Sequence, residues 1–435
     1  MGLTGLRHWG GFVVEEWLRQ LQDARQAAEV YREMIDNDPI IGAILYAIEM
    51  LCRGVEWRVD PAGDTKADEE AALFLESCLH DMSMTWEDTI SEILGMLGYG
   101  WSWHEIVYKR RIGPFQKDPT RRSDFTDGRI GWRKLPIRSQ DSIWKFEIDE
   151  TGGIQALTQA PPPDYILRTI PIEKSLLFRT KILKNNPLGR SILRNAWTSY
   201  YYAKNIRTIE AIGIERDLAG IPVLRPPEGV DIWDTKDPKM AQVLAAAKQI
   251  VTTIKRDEQD GVVLPHGWEL SLLSTGGRRQ FDTTGVITRY EQRMATTVLA
   301  DFVLLGQDKV GSFSLANTKQ DLFKASLAAY LDQIAGVFNR YAVPRLFELN
   351  AFPGITAYPT LAHAEVEPVN LEVLGAYVLQ LSQAGAAILP DEGLERYLLE
   401  AGNLPVPPEQ QVHKSADRRH AAEVQRIAKR LRGRP

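Results

Sequence analysis

Apolar positions along the chain change their spacing several times, and each change marks an element. From Glu15 to Asp36, Trp17, Leu21, Val30 and Met34 recur at helical spacing, which predicts a helix. Asp36-Asn37-Asp38-Pro39 interrupts it. Asp38 suits an N-cap and Pro39 a first turn, so a second helix is expected over Ile40–Arg53. That helix is apolar nearly all round, which predicts burial on every side. Val55–Val59 alternates as a strand, and helices follow at Asp68–Asp81 and Thr85–Gly98. Trp101–Tyr108 alternates again, with Gly131–Leu135 as its expected partner. Ser142–Ile148 and Gly153–Thr158 read as a hairpin around Asp149-Glu150-Thr151-Gly152-Gly153, and Pro161-Pro162-Pro163 as an exposed spacer.

Beyond Leu188 the periods lengthen. Ser191–Leu218 reads as one helix of about 28 residues, about 42 Å long, stopped by Ala219-Gly220-Ile221-Pro222. A small α/β unit follows: Val223–Arg225 as a strand, Pro238–Ile254 as a helix, then Gly261–Leu264 and Glu269–Leu273 as strands. A second long helix, Thr283–Leu305, carries Ile287, Tyr290, Met294, Val298, Phe302 and Leu305 along one stripe. Gln307–Ser314 has no period and contains glycine and serine, so a mobile loop is expected. Leu322, Leu327, Leu331, Ile334, Phe338 and Tyr341 mark a helix over Leu315–Val343, which Pro344 should kink or end. Helices over Leu371–Ala387 and Pro390–Ala401, a hinge at Leu404-Pro405-Val406-Pro407-Pro408 and a basic tail from His413 complete the chain. The fold class is α+β, with two long helices bracketing a small α/β domain.

Composition narrows the partners. At 435 residues the chain can form two to four compact units, and 44% hydrophobic with 25% charged residues is the balance of a soluble globular protein. No run of 18 apolar residues predicts a membrane span, and the N-terminus lacks the basic-then-apolar plan of a signal peptide. Cys52 and Cys78 are the only cysteines, so a reducing compartment with no disulfide framework is expected, as core residues. A net charge of −5 lacks the basic footprint of a tight duplex binder. Any contact with DNA should be local and weak.

Catalytic motifs are wanting. There is no Walker-type loop, HExxH, GxSxG or CxxC, and Gly95-Met96-Leu97-Gly98-Tyr99-Gly100 lacks GxGxxG spacing and reads as a helix end and turn. His104, between alternating Trp and Ile, reads as a packed histidine, and His413 and His420 are too sparse for a metal. Trp101, Trp103 and Tyr200-Tyr201-Tyr202 read as core and interface aromatics rather than base-stacking platforms, because duplex DNA offers no free base faces. No catalytic residue, metal or cofactor is expected.

Several stretches together resemble the portal proteins of tailed double-stranded DNA phages, in particular the Mu-like group. They are DNDPIIGAILYAIEMLCRGVEWRVDP, GYGWSWHEIVYKRR, IGIERDLAGIPVL over Ile212–Leu224, and DGVVLPHGWELSLLS. Each is a packing or turn signature, and their shared order over most of residues 30–350 carries the resemblance. It implies a wing from residues 1–190 with 319–365, a stem from 191–219 and 281–306, and a clip from 220–280. It also implies a tunnel loop at 307–318 and a crown with the basic tail at 366–435. It implies a homododecameric ring at a capsid vertex of the virion, assembled in the host cytoplasm, that passes DNA during packaging and ejection. The implied partners are the terminase large subunit, a head-completion or adaptor protein, and the major capsid or scaffolding protein; no membrane is involved.

The resemblance gives the loop and stripe their roles. Gln307, Lys309, Val310, Gly311, Ser312, Phe313 and Ser314 would face DNA, Lys309 being the one cation beside Asp308. The competing reading is an ordinary surface connector. Ile287, Tyr290, Met294, Val298 and Phe302 would pack against a neighbouring copy. Arg418, Arg419, Arg426, Lys429 and Arg430 could meet packaged DNA or scaffold, or form a solvated helix end. Two other classes compete: another head–tail adaptor or minor head protein, and a Mg-dependent nucleic-acid hydrolase. The first lacks a helix–clip–helix insertion, and the second needs clustered carboxylates that the sequence does not supply.

Overall fold

A computed structural model describes residues 2–219, 221–233, 236–253, 263–273, 283–298 and 313–366. The chain divides into two compact units, Met1–Arg53 with Val59–Ala362, and Gly54–Arg58 with His363–Pro435. In the smaller unit the Trp57 ring meets His363 edge-on at 5.6 Å, and the Ala364 N–H donates to the Glu56 carbonyl at 2.8 Å. Apart from the ends of strands β3 and β14, the elements below lie in the larger unit.

After the short strands β1 (His8–Trp9) and β2 (Phe12–Val13), the first helix begins later than its apolar spacing predicts. Glu16 folds back to accept the N–H groups of Trp17 and Leu18, and a 3-10 turn follows at Arg19–Leu21. Asp23 then caps α1 (Ala24–Asn37) by accepting from the Arg25 and Gln26 N–H groups. Trp17 is therefore an exposed turn residue and lies outside the helix. Helix α2 (Pro39–Arg53) starts where expected, with Asp38 Oδ1 accepting from the N–H groups of Ile40 and Ile41. Its burial differs from expectation. Ile41, Ile44, Ile48 and Cys52 are buried, whereas Tyr46, Met50 and Leu51 on the opposite side are exposed.

Strand β3 (Trp57–Asp60) leads to α3 (Lys66–His80), which opens on a Thr65/Asp68 capping box, and to α4 (Trp86–Tyr99), capped by Thr85. Gly100 ends α4 at φ +94, and a Cβ there would stand 2.5 Å from the Leu188 carbonyl oxygen, so only glycine fits. The following run is two strands rather than one. β4 (Trp101–Glu105) lies between β7 (Ile137–Arg138) and β11 (Ser175–Arg179), while β5 (Val107–Arg110) pairs with β6 (Ile130–Lys134). The switch occurs at Glu105 and Ile106, whose N–H groups donate to Pro136 and Lys174 carbonyls. A third sheet, β10–β9–β8, contains the expected hairpin of β8 (Ile143–Ile148) and β9 (Ile154–Gln159), with β10 at Arg168–Pro171. Asp149 closes it by accepting from the Thr151 and Gly153 N–H groups. Trp101 and Trp103 are buried with Phe146 and Leu157.

Two buried cations anchor the loop joining β5 to β6. Lys109 pairs with Asp81 at 3.1 Å, both almost fully buried, and Asp81 also accepts from the Ser123 hydroxyl and the Asp124 N–H. Arg111 pairs with Asp127 at 3.2 Å and lies 3.8 Å over the Phe125 ring. Buried ions are costly to desolvate, so these contacts fix where the loop sits more than they add stability.

Ser191 donates to the Gly98 carbonyl and accepts from the Leu193 N–H, so a 3-10 turn at Ile192–Arg194 precedes α5 (Trp197–Ala219). The expected helix from Ser191 is shortened accordingly. Strand β12 (Ile221–Arg225) pairs antiparallel with β13 (Glu269–Leu273), with α6 (Pro238–Thr253) between them in sequence. Val263 and Leu264 are not in a strand; the rest of the expected 261–264 strand lies outside the described residues. Helix α7 spans Thr283–Thr297, and the remainder of the expected 283–305 helix lies mostly outside the described residues. Helix α8 (Phe313–Val337) runs through a π turn at Phe338–Ala342 into α9 (Val343–Glu348), so Pro344 does not end the helical path. Leu327, Leu331, Ile334 and Phe338 are buried, whereas Leu322 and Tyr341 of the expected stripe are exposed. The strand β14 (Thr360–His363) is the last described element.

His104 is fully buried on β4. Its Nδ1 lies 2.8 Å from the Leu135 carbonyl and must donate, which leaves Nε2 to accept from the Ser102 hydroxyl at 2.7 Å. Burial pushes its pKa down to about 4 from the usual 6.5. The folded chain thus keeps a neutral imidazole while the unfolded chain takes up a proton below pH 6.5, so stability falls as pH drops from 6.5 toward 4. Between about pH 7.5 and pH 5, urea unfolding should show wild type losing about 2 kcal/mol more stability than His104→Gln. Equal losses in the two proteins would refute this coupling.

Candidate functional site

The two long helices on either side of the small α/β unit carry the residues to which the sequence assigns packing in a ring. Helix α5 places Tyr200 and Ala203 on its buried side, and α7 places Met294 and Ala295 there. Tyr200 and Met294 join one apolar core with Tyr31 and Met34 of α1, Ile41 of α2, and Leu193 and Ala196. Met294 is therefore covered within its own chain, which corrects its assignment to an open intersubunit stripe. Tyr290 is likewise half-buried, stacked on Tyr202 of α5 at 6.0 Å. Ile287 is half-buried on α7, Val298 is half-buried in the turn after it, and Phe302 lies outside the described residues. Over the described part of the stripe, Ile287, Tyr290 and Met294 lie on α7, and α7 packs against α5 of the same chain.

A ladder of rings runs along this pair. Trp197 stacks on Tyr201 at 5.5 Å, Tyr201 meets Tyr202 edge-on, and Tyr202 stacks on Tyr290. Arg289 and Arg293 lie 5.5 and 5.9 Å from the centre of the Tyr290 ring.

Charged contacts tie the pair to the α1–α2 corner. Arg207 of α5 donates to Asp38 at 3.0 Å and to Glu291 of α7 at 2.7 Å. The Asp38 side chain is fully buried, and its other oxygen caps α2. Burial works against the Arg207 charge, yet the bonds to Glu291 and Asp38 hold its proton more firmly than usual. One turn away, Glu33 of α1 accepts from Lys204 and from the Tyr200 hydroxyl, the latter at 3.0 Å. The Lys204 bond outweighs desolvation and keeps the Glu33 carboxyl below its usual range. Arg194 pairs with Glu16 at 2.5 Å, and the Thr283 hydroxyl donates to Glu210 at 2.5 Å. None of these partners was visible in sequence, since Arg207 and Asp38 are 169 positions apart.

Most of the candidate DNA contacts lie outside the described residues. Gln307, Lys309, Val310, Gly311 and Ser312 lie outside the described residues, as do Arg418, Arg419, Arg426, Lys429 and Arg430. Phe313 and Ser314 are the first residues of α8 rather than loop. Among the described residues no group of His, Cys, Asp or Glu is arranged to hold a metal, and no helix is long and apolar enough to cross a membrane.

A family model described as the portal protein of Mu bacteriophage matches residues 28–399. Among curated proteins none matches. Solved structures superpose over most of the chain. A chain from the virion of a native gene transfer agent (GTA) particle gives a TM-score of 0.51 at 12% identity, covering 87% of this chain and 93% of that one. One from the neck of a native GTA particle computed with C12 symmetry gives 0.51 at 12% identity, covering 87% and 94%. One from the neck of an empty GTA particle computed with C6 symmetry gives 0.50 at 12% identity, with the same coverage, 87% and 94%. At this identity the likeness is one of fold.

Replacing Arg207 by Met leaves Asp38 as a fully buried, uncompensated carboxylate. The variant should lose about 2–4 kcal/mol in urea unfolding, and the added change Asp38→Asn should recover part of that loss. A variant as stable as wild type would show that the Arg207 contacts are energetically idle.

Proposed function

The chain belongs to the family of Mu bacteriophage portal proteins, and from that membership we propose that copies close into a twelve-fold ring at one capsid vertex. The ring is a structural conduit for DNA entering during packaging and leaving at ejection, and a docking platform for other proteins. The observation that carries this reading is the family match itself, which runs unbroken through both long helices and the small α/β unit between them. The likeness in fold to a chain of a particle neck computed with C12 symmetry supports the copy number. Membership of a structural family sets aside the hydrolase reading, and a match over residues 28–399 favours a portal over an adaptor or minor head protein.

In this reading residues 1–190 and 319–365 are the wing, α5 and α7 the stem, residues 220–280 the clip, and 366–435 the crown with its tail. The 307–312 segment ahead of α8 is the tunnel loop, where Lys309 repeated around a ring touches phosphates without gripping them. The net charge of −5 supports a channel that lets DNA slide. Terminase large subunit, a head-completion or adaptor protein, and capsid or scaffolding protein are the partners. The stem is held to the wing by Arg207, so a displacement of the stem is felt at the start of α2.

Native mass spectrometry and negative-stain imaging of purified protein should show a closed ring; a monomer at high concentration would overturn the reading. Deleting Lys309–Ser312 should leave the ring intact and impair DNA packaging or retention. Undiminished packaging by the deleted form would remove the loop from DNA contact.

A further inference from the structure

Helix α2 carries two apolar faces, and among the described residues only one is buried. The helix packs toward α1, α4, α7 and α8, and its inner face holds buried Ile41, Ile44, Ile48 and Cys52. Its outer face presents Tyr46, Met50 and Leu51 at 63%, 41% and 38% exposure, with Ala43 and Ala47 between them and no charge among the five. A solvated helix normally places its charged residues on that side. Helix α5 repeats the anomaly. Opposite buried Tyr200 and Ala203, it exposes Tyr201, Ile209 and Ile212 at 47%, 67% and 42%.

We infer that in the assembled ring the outer face of α2 is buried against the outer face of α5 on the next copy; the inference rests on the ring proposed above. Three observations choose this occupant. Helix α7 packs against both α5 and α2, so the two bare faces look away from a shared inner helix. Joining one face to a different face of the next copy is a heterologous contact, the kind that closes into a ring. The two strips are also commensurate: Ala43–Leu51 spans about 12 Å and Tyr201–Ile212 about 17 Å along their helices.

Their borders differ in charge. Beside the α5 strip lie exposed Arg289 and Arg293 of α7, while Lys204 is already paired with Glu33 of its own chain. At the end of the α2 strip, Asp88 of α4 and Glu49 share the single cation Arg53, at 3.3 and 3.6 Å, which leaves that border net acidic. Apolar centres rimmed by opposite charges fix orientation as well as contact. The contact also accounts for an α2 that is apolar all round: one side is covered in the chain and the other in the assembly.

Met50→Asp and Ile209→Asp, each made in the full chain, test it. Both positions are exposed, so far-UV circular dichroism and the melting midpoint of the monomer should stay near wild type. Ring abundance in native mass spectrometry should fall at least tenfold. Rings at wild-type abundance from both variants would overturn the contact while leaving the ring itself standing. In a second arm Met50→Cys and Ile209→Cys are combined and treated with a short bismaleimide; native Cys52 and Cys78 are buried and stay silent. A ladder of multimers on a denaturing gel, absent from each single variant, is the expected result. Dimers from Met50→Cys alone would show the face meeting its own copy and overturn the pairing. A wild-type chain that never leaves the monomer removes the ring and this contact together.

Discussion

The buried carboxylate of Asp38 is the contact on which the arrangement of the long helices depends. One oxygen satisfies the first N–H groups of α2, and the other receives Arg207 from α5, which also holds Glu291 of α7. A fully buried carboxylate needs such partners, because an unpaired charge away from water is far costlier than a lost surface contact. The requirement works in both directions. Asp38 is paired only if α5 passes close by, and Arg207 on α5 is paired only if Asp38 and Glu291 stand where they do. The long helices are thus seated on the α1–α2 corner rather than projecting from it as a free arm.

Around that seat the apolar core is shared among four helices, with Met294, Tyr200, Ile41 and Met34 in one cluster. Sharing of this kind uses one face of each helix and leaves the others bare. In a protein that worked alone, bare faces such as those of α2 and α5 would be a liability to solubility. In the ring proposed above they are the natural place for neighbours to meet.

Much of the fold was legible in the residues. Helix starts at Asp38-Pro39 and Thr85, the hairpin at Asp149–Gly153 and the helix end by Gly100 are local signals, read by capping and turn chemistry that depends on a few neighbours, whereas the start of α3 was read at Asp68, past its Thr65 cap. What was not legible depended on distant partners. The run from Trp101 to Tyr108 alternates without a break, yet it changes sheets at Ile106 because Lys174 and Pro136 supply carbonyls there. The α7 stripe has the right period, but period cannot say whether the covering surface belongs to the same chain or to another. Pro344 reads as a stop, and the π turn before it shifts the register so that the path continues. The loop proposed to face DNA had composition and the family resemblance behind it, and neither places a side chain.

Cys52 and Cys78 have a consequence for the lifetime of a released particle. Such a particle is built in reducing surroundings and then exposed to oxidising ones. Burial pushes both thiols up to about 12, so they remain protonated, and the thiolate that oxidants attack is scarce at neutral pH. The two thiols are therefore poorly placed to be oxidised as the particle passes from one redox regime to the other.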